Sequence, residues 1–262
     1  MKFYPIGLMA LAFLIWNCGG PTNNTETTSE EETGDEAEMA YTVTAFSPSQ
    51  DYPDATLTSM EFADGMFNFG VAEYELGIQT PDAPSKMCAN SAKGQHIHLI
   101  VDDQPYAAKY ESSFSYEIPD GEHYILAFLS RSYHESIKNG SAHKAQKVMI
   151  ANNSITSTED ITTPMLFYSR PKGTYIGDDT KKVMLDFYLV NADLGSEYRV
   201  KADINGEIHM IDTWQPYYVE GLPMGENTIT LTLVDAEGNP IDAPHNPVTR
   251  NFTLQADVAP QQ

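Results

Sequence analysis

The chain writes one structural unit twice, and that repetition constrains its fold more than any other feature. Residues 66–77 (MFNFGVAEYELG) align without a gap to residues 184–195 (MLDFYLVNADLG). Further along, 97–103 (IHLIVDD) matches 200–206 (VKADING), and 118–122 (IPDGE) matches 222–226 (LPMGE). Between the first match and the second, the first copy carries 15 extra residues between Gly77 and His96. A length change confined to one place in a repeat is a loop insertion, here 78–95.

Each copy reads as short strands punctuated by turn residues. The runs are 41–47, 66–76, 96–102, 113–118, 123–131 and 144–150, then 163–169, 183–192, 198–204, 207–212, 216–220, 227–234 and 249–254. Asp102-Asp103, Asp120-Gly121, Asn205-Gly206 and Gly238-Asn239 separate them. Outside the first residues no stretch keeps a 3.6-residue period. The expected fold is therefore all-β: two tandem β-sandwiches of immunoglobulin or fibronectin type. They are expected at 41–150, with the inserted loop 78–95, and at 163–258, joined by a polar linker at 151–162.

The N-terminal residues give an address. Met1-Lys2 followed by an apolar stretch from Phe3 to Trp16 has the form of a secretory signal peptide, 1–17, too short to span a bilayer. The run LIWNCGG (14–20) resembles a bacterial lipoprotein box, which makes Cys18 the lipidation site. The tether that follows, 18–40, carries seven acids and no base, so it cannot bury enough surface to fold. The formal charge of −22 excludes a large nucleic-acid surface, because a phosphate backbone must be met by clustered Lys and Arg. Two cysteines exclude a disulfide-stapled scaffold. The expected place is the bacterial outer membrane or cell envelope, lipid-anchored, periplasmic or surface-facing. A protein or peptide of the envelope is the expected partner beside the membrane itself.

The runs GQHIHLIVDDQPY (94–106), FLSRSYHESIKNG (128–140), LFYSRPKGTYIGDDTKKVMLDFYLVN (166–191) and DTWQPYYVEGLPMGENTITLTLVDAEGNPI (212–241) resemble a group of uncharacterised bacterial envelope lipoproteins with tandem immunoglobulin-like domains. The resemblance covers nearly all of 60–255. Some members carry the label phosphopeptide-binding. It implies an architecture and brings no catalytic residue.

The two copies differ on one face. Because strand residues i and i+2 share a side, Ile97, Leu99 and Val101 match Val200, Ala202 and Ile204 as the inward set. The other face of copy two is Arg199, Lys201 and Asp203, while copy one has His96, His98 and Ile100. In the strand after Asp120-Gly121, the outward Thr228, Thr230 and Thr232 of copy two become Tyr124, Leu126 and Phe128. An outward face of His96, His98, Tyr124, Leu126 and Phe128 needs a cover. Either the insertion folds over it as a lid, or a ligand docks there with the insertion as one wall.

Several residue groups suggest chemistry. A His-x-His pair in a strand puts both imidazoles on one side, about 7 Å apart at Cα, and is able to chelate one ion. With His134, His143, Cys88 and Met87 placed toward the same end, copper or zinc binding is the alternative function to a non-catalytic binding or scaffolding module. The alternative for His-x-His itself is a pair of hydrogen-bonded strand histidines. Arg131, Arg170 and Lys172, beside serines, are candidate anion contacts; the alternative is pairing with local acids. Trp214, Tyr217 and Tyr218 form either a sugar-stacking platform or sandwich core. No Gly-x-Ser-x-Gly, Gly-rich phosphate loop or Gly-x-Gly-x-x-Gly is present, and His134-Glu135-Ser136-Ile137-Lys138 lacks the second histidine of a zinc-protease helix. No enzyme and no obligatory cofactor are expected.

Overall fold

The structure, a computed structural model, describes residues 41–257. The expected signal peptide 1–17, Cys18, the expected tether to residue 40 and the last residues from 258 lie outside them. The described residues are all-β, with one four-residue helix among them, Ala83–Lys86, and one 3-10 turn, Gly177–Thr180. Among the described residues no helix is long and apolar enough to cross a membrane.

Each repeat builds a small sheet facing a large one. In the first sandwich the small sheet is Thr56–Ala63, Met66–Ala72 and Ser113–Ser115. Its large sheet runs, in spatial order, Ala107–Lys109, His96–Val101, Gly121–Ser130, His143–Ala151 and Ser154–Glu159. In the second, the small sheet is Thr42–Ala45, Tyr217–Glu220, Lys182–Val190 and Met165–Arg170. The large one runs Gly173–Ile176, Val248–Gln255, Gly225–Asp235, Tyr198–Ile204 and Glu207–Ile211.

The repeat holds at the level of the ladder. Ile97 pairs with Leu129, Leu99 with Ala127 and Val101 with Ile125. At the matching positions Val200 pairs with Leu233, Ala202 with Leu231 and Ile204 with Ile229. All twelve are buried, the first six in one apolar core and the second six in the other. Alternation fixes this outcome, since a one-residue slip would turn every side chain to the opposite face.

Two boundaries differ from the sequence reading. The strand Thr42–Ala45, placed with the first sandwich at 41–150, pairs antiparallel with Tyr217–Glu220 of the second. The polar stretch 151–162 is no linker along its whole length, because Ser154–Glu159 forms a hairpin with His143–Ala151. Its polar side chains suit an edge strand, where one side meets water.

The largest difference concerns the outward face of copy one. The second sandwich covers it, and the insertion does not serve as its lid. Ile100, Tyr106, Leu126 and Phe128 form one buried cluster with Ile161, Met165, Phe167 and Tyr188. Phe128 stacks on Tyr188 with centroids 5.1 Å apart. Met165, Phe167 and Tyr188 project from the back of the second sandwich's small sheet, whose other face, with Leu166, Tyr168 and Phe187, belongs to its own core. Sheets buried on both sides give continuous apolar strands, and Met165–Arg170 and His96–Val101 are buried at every residue.

The insertion packs beside the seam. Its neck closes through Gln95 N–H to Ile78 O at 2.6 Å and Gly77 N–H to Gln95 O at 2.8 Å. Lys86, 1% exposed, donates to the carbonyls of Ser47 and Pro48. Ala83 and Cys88 lie against Phe46, Tyr133, Met184 and Tyr218, which come from both sandwiches.

Candidate metal centre

Three histidines converge where the two sandwiches meet. Strand alternation puts His96 and His98 on the outward face of His96–Val101, opposite Ser130 and Phe128 in the ladder. His134 comes from the turn after Gly121–Ser130 and takes a left-handed conformation, φ 71°. That turn is closed by His134 N–H to Arg131 O and Arg131 N–H to Glu135 O, both 2.9 Å. Two outside contacts fix it. Thr80 of the insertion exchanges hydrogen bonds with Ser132, and Asp186 of the second sandwich, fully buried, accepts from Ser136 N–H at 3.0 Å and pairs with Lys138.

The ring nitrogens face one another. His96 Nε2 lies 2.8 Å from His98 Nε2 and 3.1 Å from His134 Nδ1. A carbonyl can only accept, so the 2.8 Å contact of His96 Nδ1 with Gly94 O places the proton on Nδ1 and leaves a lone pair on Nε2, aimed at the other two rings. His98 Nδ1 contacts Ser169 Oγ of the second sandwich at 3.2 Å. With His96 Nε2 the acceptor, His98 Nε2 carries its ring proton, and it becomes a ligand once that proton shifts to Nδ1, facing Ser169 Oγ, the outer-nitrogen support that metal-ligating histidines use. Four nitrogens around zinc at 2.0–2.1 Å stand about 3.3 Å apart; two of the spacings here are 2.8 and 3.1 Å, and all three nitrogens lie within 4.8 Å of one another.

Electrostatics keep the three rings neutral. Burial holds His96 down at about 4, with Arg170 adding to the effect and the Gly94 carbonyl opposing it. Burial holds His98 and His134 well below the ordinary histidine range, helped by Arg170 and by the neighbouring rings. Neutral imidazole is the ligating form, so binding an ion requires a shift of ring protons to the outer nitrogens and no net proton release from the three rings. His96 and His98 are fully buried, while His134 is half-buried and gives the cluster its contact with solvent.

A tyrosine and an arginine border the centre. Tyr106 lies flat on His98, centroids 3.6 Å apart and planes 11° from parallel. Its hydroxyl sits 3.3 Å from His134 Nδ1 and accepts from Arg170 Nη1 at 2.9 Å. Burial pushes the Tyr106 phenol up to about 12 against the pull of Arg170. Arg170 is 5% exposed and also donates twice to Tyr175 Oη. The Lys172 ammonium stands 4.2 Å from the centroid of the Tyr106 ring.

The residues singled out in the sequence are thus divided. His96, His98 and His134 form the group. His143 packs against Tyr188 and is not part of it. Cys88 lies on the aromatic cluster beside the insertion, where burial pushes its thiol up to about 12, and Met87 is 67% exposed on the same loop. Leu126 and Phe128 are interface core, with Tyr124 half-buried at its margin beside His245, so the expected ligand face is closed by the second sandwich. Arg131 donates to Gln50 O and lies 3.6 Å from Glu135, a structural tie in place of an anion contact. Arg170 and Lys172 face tyrosines. Trp214 donates to Phe187 O and meets Tyr188 edge-on, which makes it packing at the seam. Tyr106, Ser169 and Asp186 were missed. Tyr106 ends the same run, GQHIHLIVDDQPY, that contains both strand histidines, and Asp186 interrupts the apolar run VMLDFYLV.

No protein-family model and no curated protein match the chain. Among solved structures it is similar to fibronectin(III)-like modules of CbhA from Clostridium thermocellum, at 15% identity and a TM-score of 0.28, over 36% of this chain and 100% of that one. A Ca2+-stabilized adhesin with which an Antarctic bacterium binds ice matches at 11% identity and TM-score 0.24, over 78% of this chain and 50% of that one. A 1.5-MDa bacterial ice-binding adhesin matches at 11% and 0.23, over 84% and 64%. The chain thus spans half of one adhesin structure and under two thirds of the other. Likenesses this distant say nothing about a site, and the all-β assignment rests on the strands themselves.

Proposed function

We propose that the chain is a lipid-anchored, non-catalytic binding protein of the bacterial cell envelope, and that its ligand is a transition-metal ion, zinc or copper, held by His96, His98 and His134. The observation that carries the metal reading is the convergence of three neutral imidazole nitrogens, two of the rings tied from behind by Gly94 O and Ser169 Oγ. Without an ion, His96 Nε2 accepts from His98 Nε2, and the Tyr106 hydroxyl and His96 Nε2 share His134 Nδ1. An ion would replace these ring-to-ring hydrogen bonds once the ring protons sit on the outer nitrogens. Imidazole ligands suit zinc and copper, and the loss of Cys88 and Met87 from the set removes the soft sulfur donors that would favour copper(I). An acidic surface raises the local concentration of cations.

Anchoring rests on Cys18 in its lipoprotein-like box and on the acidic tether; labelling with palmitate in cells marks Cys18 if it is right and leaves the chain unmarked if it is wrong. The metal reading is tested by equilibrium dialysis with zinc and with copper(II). The chain should retain one equivalent, and the His96→Ala, His98→Ala double variant, checked for an unchanged β-type circular dichroism spectrum, should retain none. A wild-type chain that retains no metal overturns the reading.

A further inference from the structure

Four buried side-chain polar atoms have no hydrogen-bond partner among the described residues, and three of them belong to one contacting pair. Arg250, 8% exposed, lies on the buried side of Val248–Gln255 with its guanidinium carbon 5.4 Å from the centroid of the Tyr168 ring. Its Nη1 donates to Thr249 O at 3.0 Å, while Nε and Nη2 meet no acceptor, and the Tyr168 hydroxyl has no partner either. Nε and Nη2 share one edge of the guanidinium, and their N–H groups form the fork that grips two oxygens of one oxyanion. A charged fork left bare in a buried place is costly, and native structures fill such gaps with an ion or water.

The same place gathers positive charge. Gly173 pairs with Phe252 in a parallel ladder, which carries Arg170 and Lys172 alongside Arg250. Burial, Arg170 and Arg250 together hold the Lys172 ammonium below the ordinary lysine range. Arg170 is met by tyrosine hydroxyls and Lys172 by the face of Tyr106. Among the described residues none of these three bases forms an ion pair. Asp103 of the first sandwich acts on Arg250 electrostatically, yet its carboxylate accepts from Gln104 and makes no ion pair with Arg250. In a chain with 37 acids and 15 bases, three neighbouring bases without an acid are the exception, and their charge stands unbalanced. Water can fill the fork, but it cannot balance that charge. We propose that Arg250, Lys172 and Tyr168, with Arg170 adding its charge, bind one small, doubly charged oxyanion of the sulfate or phosphate type. Arg250 Nε and Nη2 take two of its oxygens, and the Tyr168 hydroxyl and the Lys172 ammonium take others. A tetrahedral ion presents oxygens on several sides, whereas a planar carboxylate held in the fork turns its carbon away. The burial of Arg250 admits a free ion and excludes the same group carried on a large molecule.

This site does not depend on the histidine centre, so it is tested on the full chain stripped of metal. Isothermal titration calorimetry is run with sodium sulfate and, separately, with sodium phosphate, at constant ionic strength in chloride. One equivalent should bind, and the two arms tell which ion is preferred. Arg250→Lys keeps the charge and removes the fork, and should bind about 10–100-fold more weakly. Arg199→Lys, on the outer face of the second sandwich, should bind as the wild type does. Binding of neither ion overturns the proposal, and so does binding that Arg250→Lys leaves unchanged or that Arg199→Lys weakens equally. A second measurement uses the wild-type chain alone and holds if Arg250→Lys fails to fold. Crystals soaked in selenate, a sulfate analogue, should show one anomalous selenium peak within hydrogen-bond reach of Arg250 Nε and Nη2. A selenium peak only elsewhere, or the Asp103 carboxylate seated in the fork, overturns the proposal.

Discussion

Copy one and copy two hold the same ladder in the same register, yet one of them carries the candidate site. In copy two the strand Tyr198–Ile204 shows Arg199, Lys201 and Asp203 on its outer side, none of them fully buried. In copy one the equivalent strand shows His96, His98 and Ile100, all at 1% exposure or less. The inner face is set by folding and is interchangeable between copies. The outer face is where the copies were free to diverge, and in copy one that freedom was used to bind the sister domain and to set three histidines at the joint.

Substitutions can break that contrast, and the largest effect is expected at the tie between the sandwiches. Asp186→Ala leaves the Lys138 ammonium and the Ser136 N–H without their buried partner, and should cost about 3–5 kcal/mol in chemical denaturation. Next comes the seam itself. Phe128→Thr, which installs the copy-two residue, removes the ring stacked on Tyr188 and buries a hydroxyl, a loss of about 2–4 kcal/mol. Gly94→Ala should follow at about 1–3 kcal/mol, because Gly94 has φ +86° and an added Cβ would stand 2.3 Å from Ile78 O. It should also weaken metal retention, since the Gly94 carbonyl orients His96. The smallest effect is the reverse swap on copy two: Thr228→Tyr, at an exposed position, should change stability by no more than about 0.5 kcal/mol. If Thr228→Tyr proved as costly as Phe128→Thr, the outer faces would not differ in the way described.

Much of this architecture is legible in the sequence because it follows from alternation. The inward sets Ile97, Leu99, Val101 and Val200, Ala202, Ile204 are read directly, and so is the anomaly of His96 and His98 on the other side. What covers that face is not legible there, for a physical reason. Alternation within one strand identifies a buried second face and carries no information on which distant segment buries it. The signal lay elsewhere, in the nearly unbroken apolar runs MLFY (165–168) and VMLDFYLV (183–190), whose second face also had to be covered. Thr42–Ala45 leaves its sequence neighbours because a short edge strand gains its ladder partner wherever an edge is open. His134 and His143 flank one loop, yet the turn brings only His134 back to the strand histidines. Tyr106 and Ser169 could not be found by spacing, since each becomes relevant only through packing.

Anomalous scattering from crystals of the full chain grown with zinc would locate the ion. One strong zinc peak per chain is expected at about 2.0–2.1 Å from His96 Nε2, His98 Nε2 and His134 Nδ1, inside the joint between the two sandwiches. A metal-loaded crystal with no peak among these three rings, or with its zinc bound only at surface carboxylates, would contradict the three-histidine centre.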